Sequence, residues 1–101
     1  MTDLDDLYDL IARAQAAPWG PGCSALWAQA ARVAEDLGRD EDALECYSNL
    51  VTAYTMGGEA TRVIAPFTWC DNMYRTRPDL FTDALKHSFA WQYKYVITAL
   101  R

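Results

Sequence analysis

With 101 residues, 51% of them apolar, and a net charge of −5, the chain suits one domain with a modest core and is too apolar for intrinsic disorder. Its acidity, with no basic patch, argues against nucleic acid as a partner, and no uncharged run of about twenty residues offers a membrane span. The charge is uneven: residues 1–50 hold ten acids and three bases, whereas residues 51–101 hold four acids and six bases.

The acidic start TDLDDLYDL has neither a basic region nor an apolar run, so no secretory leader is expected and the cytoplasm is the default location. Thr2 and Asp5 make a capping-box-like opening. Leu4, Leu7, Tyr8, Leu10, Ile11 and Ala14 then share one side of a helix over 3–16, opposite Asp5, Asp6, Asp9 and Arg13. This helix has no hairpin partner and is expected to pack as a cap on the helices after it. Pro18-Trp19-Gly20-Pro21-Gly22 predicts a loop, with Trp19 as a plug over the adjacent core.

Trp27, Ala30, Ala31 and Ala34 form one stripe of a second helix, over 23–37, which Gly38 ends. Asp40 opens a third, over 40–56, with Ala43, Leu44, Tyr47, Leu50, Val51 and Tyr54 along one face, and Gly57-Gly58 ends it. About three residues join the two, so they should fold back as a helical hairpin. Val63, Ile64, Phe67, Cys70, Met73 and Tyr74 keep helical spacing in the next segment, predicted to run from 59 and to kink at Pro66. Pro78 ends it, and Asp79 can cap a last helix over 79–99. The apolar arc of that helix, which includes Trp91, Tyr95, Phe89 and Leu100, covers about 200°. So wide an arc implies contact on two sides.

The stretch from Trp27 to Tyr47 resembles the tetratricopeptide repeat. Trp27 stands at the tryptophan position, Gly38 at the turn, Ala43 at the small position and Tyr47 at the aromatic one. Ala34 in place of a tyrosine, and the missing proline after the second helix, depart from the pattern. Trp69, Asp83-Ala84-Leu85 and Tyr95 echo Trp27, Asp42-Ala43-Leu44 and Tyr54 at offsets of 41 or 42 residues, as a diverged second copy would. The fold expected is all-α: about five antiparallel helices in a short α-solenoid, one domain over 1–101, with a capping helix (3–16), a first hairpin (23–56) and a diverged second hairpin (59–99). A helical bundle of another family is the alternative.

Chemistry is sparse. Cys23, Cys46 and Cys70 have no metal-ligand spacing. The single histidine, His87, lies one turn from Asp83 as an exposed pair would. There is no phosphate loop and no nucleophile elbow. No catalytic residue, metal or cofactor is therefore expected. The resemblance instead implies a groove lined by the first helix of each pair. It would present Ala25, Ala28, Arg32, Glu35 and Asp36 from the second helix, and Phe67, Cys70, Tyr74 and Arg77 from the fourth. Arg32 and Arg77 would meet an acidic group. The family's clamp for C-terminal carboxylates uses Lys and Asn where Ala28, Arg32 and Asp36 stand, so that ligand is not supported. The function expected is a cytoplasmic protein- or peptide-binding module. The alternatives are homodimerisation through Trp91, Tyr95 and Leu100, and the N-terminal part of a longer array.

Overall fold

The computed structural model describes the backbone of residues 3–99 and the side chains of residues 3–94. Among these there are five α-helices and no strand: α1 (Leu4–Ala16), α2 (Pro21–Asp36), α3 (Asp40–Met56), α4 (Ile64–Thr76) and α5 (Asp83–Ala99). Single 3-10 turns precede α4 (Ala60–Arg62) and α5 (Pro78–Leu80). The helix α3 is central. It packs on α2, α4, α5 and the first 3-10 turn, while α1 packs on the outer side of α2.

Helix ends follow local chemistry and correct the expected boundaries in four places. Asp3, not Thr2, caps α1: its Oδ1 accepts from the Asp6 amide at 3.0 Å, and the Asp6 carboxylate accepts from the Asp3 amide at 3.3 Å. The reciprocal pair needs acceptors three residues apart, and Asp3 and Asp6 supply them one step later than expected. The loop is shorter than the proline-glycine run suggests, because Pro21 is the first residue of α2, where a missing N–H costs nothing. For the same reason Pro66 sits in the first turn of α4, so a fresh helix starts at Ile64 in place of a kinked one from 59. Finally, Thr82 and not Asp79 caps α5, its Oγ1 accepting from the Leu85 amide at 3.2 Å. Asp79 is instead held by Arg77.

Both long helices before α4 close in the same way. Gly38 (φ +70°) and Gly58 (φ +80°) take the left-handed conformation. They let the Arg39 amide reach Ala34 O and the Glu59 amide reach Tyr54 O, at 2.9 and 2.8 Å. This closure fixes where Glu59 stands.

The main core lies between α1, α2 and α3 and is built from small residues around one large ring. Ala30, Ala31 and Ala34 of α2, and Ala43, Cys46 and Ala53 of α3, are completely buried with Leu7, and Trp27 is nearly so. Small faces on both helices allow close approach, while Trp27 fills the space toward α1. The packing of α4 and α5 differs. Leu44, Cys70 and Phe81 form a second cluster, and Val51 and Val63 a third. Large rings bridge α4 to α5: Phe67 lies 5.3 Å from Phe89, and Tyr74 lies 5.5 Å from it.

Candidate functional site

Between α2 and α4 the surface sinks onto α3. One hollow of about 360 Å³ has Ala28 and Arg32 of α2 on one wall and Ala65, Pro66 and Trp69 of α4 on the other. Its floor is Tyr47, Leu50 and Tyr54 of α3, and Arg62 stands at its end. A second hollow of about 770 Å³ runs on toward the start of α2, lined by Ser24, Ala25, Gln29 and Glu59 among others. The two share Ala28, Arg32, Tyr54 and Arg62, so they form one continuous groove.

The groove has an apolar base and charged edges. Tyr47 and Trp69 rings lie 4.4 Å apart, joining α3 to α4 across the base. The Tyr47 hydroxyl donates to the Glu35 carboxylate. Burial, and then that hydrogen bond and charge, raise the Tyr47 hydroxyl above the ordinary phenol range. It stays protonated and fixed. Glu59 is pinned by both carboxylate oxygens: Ser24 Oγ donates to one at 2.8 Å, and Arg62 Nε approaches the other at 3.7 Å. Arg32 differs from the other arginines. Arg13, Arg39, Arg62, Arg75 and Arg77 each have an acidic partner within ion-pair distance. Among the described residues Arg32 has none.

The expected groove residues separate into two groups. Arg32 lines the groove. Glu35 stands beside it and orients Tyr47. The four residues expected from the fourth helix lie elsewhere. Phe67 packs on Val51 and Val63 and faces Phe89 and Tyr93 of α5. Cys70 is 1% exposed, against Leu44 and Phe81. Tyr74 meets Phe81 edge-on at 5.0 Å. Arg77 lies past the end of α4, paired to Asp40 at 3.5 Å and Asp79 at 3.3 Å. The physical reason is rotational. Ala65 and Trp69, one turn apart, face α2, which leaves Phe67, Cys70 and Tyr74 to face α5 and the inner core. Trp69, Tyr47, Tyr54 and Arg62 are the groove residues that sequence reasoning missed. The Tyr47 and Tyr54 stripe is visible in the sequence as a helix face, but not as the floor of a hollow.

On α5, Trp91 is 40% exposed, and Tyr95 and Leu100 lie outside the residues whose side chains are described. Trp19 is half exposed on its loop, so it plugs nothing completely. His87 is exposed. Among the described residues no three His, Cys, Asp or Glu side chains converge as a metal ion would require, and no helix is long and apolar enough to cross a membrane. The three thiols are unpaired and buried. Burial pushes Cys46 and Cys70 up to about 12, with Glu45 and Asp42 adding to the effect on Cys46. Such thiols are poor nucleophiles. Compared with protein-family models, with curated proteins and with solved structures, the chain finds no match.

Proposed function

We propose that this chain is a non-catalytic protein- or peptide-binding module, with α2–α3 and α4–α5 as two antiparallel, tetratricopeptide-like hairpins and α1 as a cap. The observation that carries the reading is the groove between α2 and α4, whose base of Tyr47, Leu50, Tyr54 and Trp69 can take apolar side chains while arginines stand at its edges. The sequence pattern from Trp27 to Tyr47 supports the hairpin arrangement, and three unpaired thiols suit the reducing cytoplasm.

The test is selection of binding peptides from a displayed twelve-residue library, then competition with groove-filling variants. Ala65 is exposed on the groove wall, so Ala65→Trp fills the hollow without entering the core. The selected peptides should lose binding to that variant. Peptides that bind it as well as the parent protein would overturn the reading.

Self-association is a second reading, favoured by Trp91 and Tyr93, 40% and 48% exposed on the same helix. Sedimentation equilibrium across a hundredfold concentration range distinguishes it: a dimer that Trp91→Ser dissolves supports it, and a monomer throughout removes it.

A further inference from the structure

We infer that the segment this groove takes is acidic, with carboxylates next to aromatic or branched apolar side chains, and that Glu59 acts as a built-in competitor for one of its two anion-binding arginines. The inference rests on the binding function proposed above and adds the chemistry of the partner.

Three observations carry it. First, the protein is acidic overall, yet Arg32 has no acidic partner among the described residues and stands on the groove wall. An exposed guanidinium with no acid in ion-pair distance, beside an apolar floor, can hold a carboxylate by two parallel hydrogen bonds. Second, Arg62 stands at the end of the first hollow and already has an acid against it. Glu59 approaches it at 3.7 Å, too long for a good hydrogen bond. The Glu59 side chain is 18% exposed and that of Arg62 is 68% exposed. So the acid is fixed in the wall, by Ser24 and by the closure of α3, while the arginine is free to turn outward. An incoming carboxylate therefore gains Arg62 only against the field of Glu59. Third, the wall beside Arg32 is made of Ala25 and Ala28, which leaves an extended backbone room to lie close to α2.

Glu59 then sets a threshold. A single carboxylate engages Arg32, and a second must displace the influence of Glu59 to engage Arg62. The groove would discriminate between segments by the spacing of their acids.

The test uses fluorescence anisotropy with a fluorescein-labelled Glu-Phe-Glu-Phe-Glu peptide and its Gln-Phe-Gln-Phe-Gln counterpart. Glu59→Gln keeps an oxygen for Ser24 and removes the charge. It should tighten the acidic peptide about threefold to tenfold and steepen the loss of affinity with salt. Arg32→Gln should weaken the same peptide about tenfold. The neutral peptide should be indifferent to both changes. Circular dichroism melts of each variant exclude unfolding as the cause. Affinity for the acidic peptide that ignores Arg32→Gln would overturn the assignment of partner chemistry, and affinity that ignores Glu59→Gln would overturn the competitor role. In either case peptides still displaced by Ala65→Trp would show that the groove itself binds. Insensitivity to Ala65→Trp as well would remove both proposals.

Discussion

The rings of Tyr47 and Trp69 lie 4.4 Å apart at an interplanar angle of 31°, and this pair ties α4 to α3 at the base of the groove. Both side chains are half-buried, so Trp69→Ala should cost about 2–3 kcal/mol, below the full range for a buried aromatic. A double-mutant cycle of Trp69→Ala with Tyr47→Leu, measured by urea unfolding, should give a coupling of about 1 kcal/mol. Additive effects, with coupling under about 0.3 kcal/mol, would mean that the rings are neighbours without being partners.

Glycines at three places should respond differently to alanine. A Cβ on Gly57 would lie 2.8 Å from Ala53 O and 3.1 Å from the Gly20 amide nitrogen. Both are backbone atoms that cannot swing away, and they seat the Ala17–Gly20 loop on the end of α3. Gly57→Ala should therefore cost about 1–3 kcal/mol although its φ is ordinary. Gly58→Ala meets open space but must adopt φ +80°, at about 1–2 kcal/mol. Gly22 lies in the first turn of α2 with nothing near it, and alanine there should stabilise by about 0.5–1 kcal/mol. Thermal melts in which Gly57→Ala matches Gly22→Ala would show that the loop does not rest on this glycine.

The helices were legible in the chain where punctuation and periodicity agreed. Helix α3 is the clearest case: Gly38 and Gly57-Gly58 bound it, and Ala43, Leu44, Leu50 and Val51, buried as a group, fall on the face that periodicity selects. Helix α4 was legible as a helix but not in its rotation. Its apolar residues occupy two faces, Trp69 on one and Phe67, Cys70 and Tyr74 on the other, and hydropathy alone does not say which face meets which neighbour. The two tryptophans that echo each other in sequence stand in different surroundings: Trp27 is 4% exposed inside the core, whereas Trp69 borders the hollow. The candidate site was half legible for the same reason. Arg32 stands on a helix whose buried stripe was unambiguous, but Arg62 and Glu59 stand around a 3-10 turn with no periodic signal. Gln92 was not legible at all: nothing local marks a glutamine as buried.

Stability should fall in alkali. The thiols of Cys46 and Cys70 are raised from about 9 to about 12, chiefly by burial, and the Tyr47 hydroxyl is raised as well. The folded protein holds the neutral form of each, so the unfolded chain releases its protons first. The contribution is whole below about pH 9 and is lost as the pH rises toward about 12, by about 1.4 kcal/mol per unit for each thiol. Urea midpoints measured between about pH 8 and pH 11 should decline, and a Cys46→Ala, Cys70→Ala protein should decline less steeply. Equal slopes would exclude the thiols as the cause.

Gln92 is the polar tie between α5 and α3, and it is 1% exposed. Its Nε2 donates to Ser48 O at 2.9 Å, with Ser48 Oγ and Thr52 Oγ1 each at 3.1 Å. A backbone carbonyl only accepts, so the amide nitrogen must face Ser48 and the oxygen must face away. That oxygen, buried, has no hydrogen-bond partner among the described residues. The site thus gains from its nitrogen and loses from its oxygen. Gln92→Met keeps most of the volume and removes the unpaired acceptor, so it should cost about 1 kcal/mol or less. Gln92→Ala adds a cavity and should cost about 2–3 kcal/mol. Gln92→Glu places an acceptor-only carboxylate against the Ser48 carbonyl. It should be the worst at neutral pH, by more than about 3 kcal/mol, and should recover as the pH falls and the carboxyl takes up a proton. Urea unfolding at about pH 7 and about pH 5 gives the order. Methionine as costly as alanine would mean that the hydrogen bonds to Ser48 and Thr52 outweigh the orphaned oxygen, and that α5 is held to α3 by polarity more than by fit.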